Sequence, residues 1–226
     1  MRYYVADTET SGFNPPPFPA SGVASIAWIE IDEELNQLNE FYSLINPGCP
    51  IASGASQANG IYDADVADAP KLASVFQIDY AALIVAHNAQ FDLRFLRPFI
   101  ATEDIYTICT LAMARRYLPR AANHKLGTLV EYLNLEKHEA HNALGDTKMT
   151  LSLLRELMKI SGRTLVQEMQ LAKKPALIQT MPFGKHKGMS LLDVPVEYLN
   201  WLVATPDLNA EMKASIAHFK KIRGLK

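Results

Sequence analysis

The first 45 residues carry three apolar runs separated by polar or proline-rich breaks. Residues 3–6, 23–31 and 41–45 are rich in aliphatic, β-branched and aromatic side chains, the content of buried strands. Short connections between them predict antiparallel pairing. Between the first two runs, residues 13–20 hold four prolines. Proline removes the ladder donor, so this stretch reads as a loop. Residues 50–70 read as a long loop with short helices, and residues 72–80 as a helix. From there the pattern alternates. Strands are predicted at 82–86 and 105–108, and helices at 88–100, 110–117, 126–133 and 142–160. Phe91, Phe95 and Phe99 fall at i, i+4 and i+8 and read as a packing row. Leu144, Thr147, Leu151, Leu154 and Met158 give the last helix its buried stripe. Three antiparallel strands followed by strand–helix units predict an α/β fold, a mixed five-stranded sheet flanked by helices.

Composition adds a boundary. The 226 residues, 49% of them hydrophobic, suffice for one full domain and a small appendage. Lys173, Lys174 and Pro175 read as the linker between a domain at 1–172 and a module at 177–226. Two cysteines, Cys49 and Cys109, make neither a disulfide framework nor a metal-finger spacing. The opening MRYYVADTET has no secretory pattern, so a reducing cytoplasm is the expected location. No apolar run is long enough to span a membrane. The net charge of −2 hides an uneven distribution. Residues 1–170 carry 13 Lys+Arg and 20 Asp+Glu, whereas residues 171–226 carry 9 and 4. An acidic body and a basic tail fit a metal site in one and a polyanion partner for the other, and also fit ordinary surface charge.

The run VADTETSG ends its apolar stretch in Asp7 and Glu9. If the strand continues, both point to one face and repel, which requires a counter-charge. If it ends at Ala6, they are solvated turn residues. Asp92 lies in HNAQFD, four residues after Asn88 and on the same face of the predicted helix. Asp146 lies in HNALGD at the start of the long helix, with His141 just before it. Singly, each acid could merely complement a helix N-terminus, worth ~0.3–1 kcal/mol.

Together the segments form an ordered set, D-x-E, then N-x-x-x-D, then H-x-A-x-x-D. Over residues 2–160 the chain resembles the DEDDh family of 3′→5′ exonucleases. The resemblance implies a ribonuclease H-like fold and a metal-dependent exonuclease that releases 5′-mononucleotides from the 3′ end of DNA, in repair or recombination. It implies two Mg²⁺ or Mn²⁺ ions per site. Asp7 would bridge them, Glu9 and Asp146 would complete the first site, and Asp92 would serve the second. Hard cations take oxygen ligands. Two of them ~3.5–4 Å apart can stabilise both the attacking and the leaving oxygen of a phosphoryl displacement.

His141 would be the general base, because an imidazole titrating near ~6.5 suits proton removal at neutral pH. Five residues along a helix turn a side chain by ~140°. His141 and Asp146 therefore cannot share a helical face, and His141 is expected in the preceding loop, arching over the site. A sister class has Tyr four residues before the last Asp; here that position is Asn142, which fits the histidine class. Thr8, Thr10, Phe13 and Asn88 are the expected substrate-binding residues. Phe13 would stack on a terminal base, and Asn88 would touch substrate or cap and orient the Asp92 helix. The proline-rich loop at 14–19 departs from the plainer loops usual in the family.

In the tail, FGKHKGMSLLDVPVEYLNWL resembles the C-terminal module of a bacterial exodeoxyribonuclease. Gly184 and Gly188 bracket Lys185, His186 and Lys187, either to bring backbone close to a phosphate or to make a tight turn. The segment 179–183 is a poor sliding-clamp peptide, because Pro182 stands where an aliphatic residue is preferred. DNA is the expected partner, and a homodimer is left open. The rivals are an RNA exonuclease of the same fold and a non-catalytic nucleic-acid-binding or assembly module. Intact Asp7, Glu9, Asp92, His141 and Asp146 argue against the second.

Overall fold

The computed structural model describes the whole chain except residues 140, 173–176, 207, 209, 225 and 226. Five strands form one sheet: β1 Arg2–Thr10, β2 Val23–Ile31, β3 Gln37–Leu44, β4 Ala82–Ala86 and β5 Ile105–Cys109. The helices are α1 Ser53–Asn59, α2 Asp63–Val66, α3 Leu72–Val75, α4 Gln90–Leu96, α5 Thr110–Tyr117, α6 Leu126–Tyr132, α7 Ala143–Ser161, α8 Leu165–Ala172, α9 Val196–Val203 and α10 Ala210–Ile222. The strand order is β3-β2-β1-β4-β5. β1 pairs antiparallel with β2, β2 antiparallel with β3, and β1–β4–β5 are parallel, so the sheet is mixed as expected.

Alternation along β1 assigns its two faces. Tyr3 and Val5 join Leu83, Val85, Leu151, Leu154 and Leu157 in the core beneath α7. Tyr4 and Ala6 join Ile26, Ile84, Phe95 and Leu96 in the core on the opposite face. Beyond Val5 the parallel register with β4 stops, while pairing with β2 runs on to Thr10↔Val23. This bears on the open question at Ala6: β1 does not end there, because β2 supplies a partner for four more residues. Asp7 and Glu9 therefore extend the Tyr3–Val5 face, at the C-terminal edge of the parallel strands where open α/β sheets place ligand crevices.

Two helical expectations change. Only Leu72–Val75 of the predicted 72–80 helix forms. Phe76 and Ile78 are drawn into the core, and Ile78 bridges Ile100. The helix predicted at 88–100 begins at Gln90 because Asn88 adopts φ +67°. It ends at Leu96 and gives way to a 3₁₀ turn, Arg97–Phe99, that carries Pro98. Asn88 and Asp92 consequently do not share a helical face. Within the aromatic row Phe95 is fully buried, whereas Phe91 and Phe99 are partly buried against the same core. Helices α8, α9 and α10 add to the predicted set.

After residue 177 a separate core joins Ile178, Met181, Leu191, Val194, Leu199, Leu202, Leu208, Met212 and Ile216. The predicted linker, Lys173, Lys174 and Pro175, lies outside the described residues. Arg115 on α5 pairs with Glu211 on α10 at 2.5 Å, a half-buried link between the body and this core. No helix among the described residues is long and apolar enough to cross a membrane.

Candidate active site

Four elements converge at the C-terminal edge of β1. Asp7 and Glu9 come from the strand, Asp92 from the first turn of α4, and Asp146 from the first turn of α7. Asn142 caps α7, its side-chain oxygen accepting from Leu144 N at 3.1 Å and Gly145 N at 3.3 Å. A Cβ at Gly145 would collide with the Glu139 carbonyl, so the glycine of HNALGD lets the incoming loop cross the helix start.

That crossing puts His141 where the spacing argument expects it, outside the helix, exposed and at φ +61°. Its backbone N–H donates to Asp146 Oδ2 at 3.2 Å. Ligand atoms of Glu9, His141 and Asp146 all lie within 4.8 Å of one another.

Asp92 is 3% exposed. Its Oδ1 accepts from Thr8 N at 3.1 Å and from Thr8 Oγ1 at 2.7 Å. Thr8 points away from Asp7 and Glu9 along the strand, so these two bonds pull the α4 carboxylate up to the strand edge. The Thr10 hydroxyl donates to the Gly12 carbonyl at 2.8 Å. Both threonines expected among the substrate contacts thus spend their hydroxyls inside the protein. Phe13 is 86% exposed, and its carbonyl accepts from Arg94 Nη2 at 3.4 Å. Asn88 is exposed and shares a cavity wall with His141 and Asp146.

Burial raises all four carboxyls. Burial, then the charges of Asp92, Asp146 and Glu9, push the Asp7 carboxyl well above its ordinary range. Burial together with Asp146 and Asp92 raises Glu9 to about 7, against a small opposing bond from Asn59. Burial raises Asp92 to about 7 despite the Thr8 bonds that favour its anion. Asp146 is also raised by burial, with the His141 N–H opposing. No lysine or arginine pairs with any of the four among the described residues. An oxygen-rich, cation-starved cluster with an imidazole at its rim suits hard divalent cations.

Three supporting residues escaped the sequence reading. Asn59 donates to the Thr10 carbonyl at 3.3 Å and touches Glu9 electrostatically, but it sits in a segment without a motif. His87, at the end of β4, meets Thr110 Oγ1 and the His124 carbonyl, each at 3.0 Å. Burial lowers it to about 4, so a neutral ring anchors the turn that carries Asn88. Glu139 had no signal beyond the glycine that faces it.

The chain as a whole matches a known enzyme class. Residues 4–154 match the family described as RNase_T, Exonuclease, and the chain belongs to that family of nuclease hydrolases. Over 225 residues it is 32% identical to Exodeoxyribonuclease 10 of Escherichia coli strain K12, spanning 95% of this chain and 97% of that protein. It is 35% identical over 179 residues to a DNA polymerase III subunit epsilon-like protein of Rhodobacter capsulatus, covering 73% of this chain and 25% of that one. Among solved structures it is similar to Exonuclease X in complex with 5′ overhanging duplex DNA. The TM-score is 0.63 at 28% identity, covering 75% of this chain and 99% of that one. Exonuclease I shares the fold, with a TM-score of 0.59 at 18% identity over 76% of this chain and 43% of that one. Residues 170–209 match a second family, described as a putative quorum-sensing-regulated virulence factor.

Proposed function

We propose that this protein is a divalent-metal-dependent 3′→5′ exodeoxyribonuclease that releases 5′-mononucleotides. The observation that carries the reading is the meeting of Glu9, His141 and Asp146 within 4.8 Å, beside Asp7 and Asp92, in a cluster with no lysine or arginine partner among the described residues. The DNA specificity rests on the similarity to Exodeoxyribonuclease 10 along nearly the whole chain.

Asp7, Glu9, Asp92 and Asp146 would hold two Mg²⁺ or Mn²⁺ ions. When bound, such ions neutralise the carboxylates and stabilise charge on the attacking and leaving oxygens. The chain's own residues do the rest. Thr8 fixes Asp92 through two hydrogen bonds, so that carboxylate keeps one orientation. The loop before α7 holds His141 over Glu9 and Asp146, and its ring takes the proton from the attacking water. Exposed Phe13 offers a face on which the terminal base stacks, worth ~1–3 kcal/mol per base. Asn88 presents a polar side chain from the cavity wall beside the reacting nucleotide.

The test is digestion of 3′- and 5′-labelled single-stranded DNA, duplex DNA and RNA with Mg²⁺, Mn²⁺ or EDTA. Stepwise mononucleotide release from DNA 3′ ends is expected with either metal and not with EDTA. Cleavage of a circular strand, or undiminished turnover in EDTA, would overturn the assignment. Faster digestion of RNA than of DNA would move the substrate to RNA.

A further inference from the structure

The C-terminal module shows an uneven surface. Helix α9 buries Leu199 and Leu202, while Trp201 on the same helix is 61% exposed. Tyr198 lies three residues earlier, its ring centroid 5.5 Å from that of Trp201. On its other side, the His186 ring meets Tyr198 edge-on at 4.6 Å. The three rings form a continuous row, and Lys185 and Lys187 are exposed beside it.

The turn that carries these lysines is built, not incidental. Gly188 N donates to the Met181 carbonyl at 2.7 Å and Lys187 N to the Gly184 carbonyl at 3.1 Å. Gly184 adopts φ +73°, and a Cβ there would lie 2.5 Å from the Tyr198 hydroxyl. Glycine thus lets the cationic turn press against the aromatic row. Lys220 Nζ donates to Asn200 Oδ1 at 2.9 Å, and Asn200 precedes Trp201 in α9. An exposed tryptophan and exposed lysines joined through the His186–Tyr198 contact suit an unpaired nucleic-acid strand, which offers bases to stack and phosphates to pair.

This surface is connected to the catalytic centre. One cavity of about 1020 Å³ counts His141, Asp146, Arg115, Lys125, Lys187 and Gly188 among its lining residues. The Arg115–Glu211 ion pair fixes the module beside that cavity. Residues 171–226 supply 9 Lys+Arg against 4 Asp+Glu, the reverse of the acidic body.

We propose that the Lys185–Lys187 turn and the Tyr198–Trp201 face of α9 form a single-stranded DNA platform. On it lies the strand 5′ of the reacting end after leaving the cavity; the inference rests on the exonuclease reading above. The platform reads no sequence, because every base has a face to stack and every phosphate a charge to neutralise.

Its test uses the full chain and (dT)18 in EDTA, where binding is separated from cleavage. The chain has two tryptophans, Trp28 and Trp201. Trp28→Phe leaves Trp201 as the sole tryptophan, and (dT)18 quenches its emission, excited selectively over the tyrosines. In the otherwise natural chain, Trp201→Ala weakens (dT)18 binding by about fivefold or more, and Trp201→Phe restores most of it. Replacing Lys185 and Lys187 by Gln makes the slope of log affinity against log salt shallower by about 1.4, two phosphates at about 0.7 each. Unquenched Trp201 emission, together with unchanged affinity and salt slope in the variants, overturns the platform. Digestion of (dT)18 with Mg²⁺ is scored separately. Digestion alongside that combined null result refutes the platform and leaves the exonuclease reading standing. Quenching without digestion supports a single-stranded DNA surface here but sinks the exonuclease reading, and with it the placement of the strand 5′ of a reacting end.

Discussion

Neutralising Asp92 should stabilise the metal-free protein, and the gain should depend on pH. The Asp92 carboxyl moves from 3.8 to about 7, chiefly because burial removes it from water. The folded state then holds its proton more tightly than the unfolded chain does. Stability is full below about pH 4 and falls as pH rises through about 7, the window set by those two values. About 3 pKa units at ~1.36 kcal/mol each make the ionised carboxylate cost about 4 kcal/mol above pH 7. Asp92→Asn removes that cost, and its side-chain oxygen still accepts from Thr8 N and Oγ1. For a chain of this length, ~2–4 °C per kcal/mol converts the gain to about 8–16 °C in Tm. Thermal unfolding in EDTA from pH 4 to 8 should show the two proteins coinciding at the acid end and separating steadily above it. Mg²⁺ or Mn²⁺ binds the folded wild type and should narrow the gap at pH 8. Parallel pH curves in EDTA, or a variant less stable than wild type at pH 8, would refute the reasoning.

Asp7→Asn should nearly abolish nucleotide release while far-UV circular dichroism stays that of wild type; substantial turnover by this variant would remove Asp7 from the metal set. His141→Ala should lower kcat by ~10²–10⁴ with little change in Mn²⁺ affinity by calorimetry. Its pH–rate profile should also lose steepness on the acidic limb, and a near-wild-type rate with an unchanged profile would exclude it as the base. Asn142→Ala should cost ~1 kcal/mol in urea unfolding through loss of the α7 cap. It should lower kcat as well, because the same residue fixes the turn that presents His141; an unchanged unfolding midpoint would show that the cap carries no weight.

Much of the site is legible in the sequence because its signals are local. The period of two that aligns Asp7 with Glu9 and the five-residue offset that keeps His141 off the helix both depend on a few consecutive residues. The β2 strand, Val23–Ile31, and helix α5, Thr110–Tyr117, match their predicted spans for the same reason. What depended on distant partners was not legible. Whether β1 stopped at Ala6 was decided by β2, whose pairing carries the strand through Glu9 to Thr10. Residues 76–80 leave the helix because burying Phe76 and Ile78 in the core, and bridging Ile78 to Ile100, outweighs local propensity. The Thr8–Asp92 bonds join residues 84 apart, and the Arg115–Glu211 pair joins residues 96 apart. The raised carboxyl values likewise arise only once burial removes water from the cluster. Residue order supplied the groups and their local directions; the sheet supplied the proximity and desolvation that make four acids and a histidine one site.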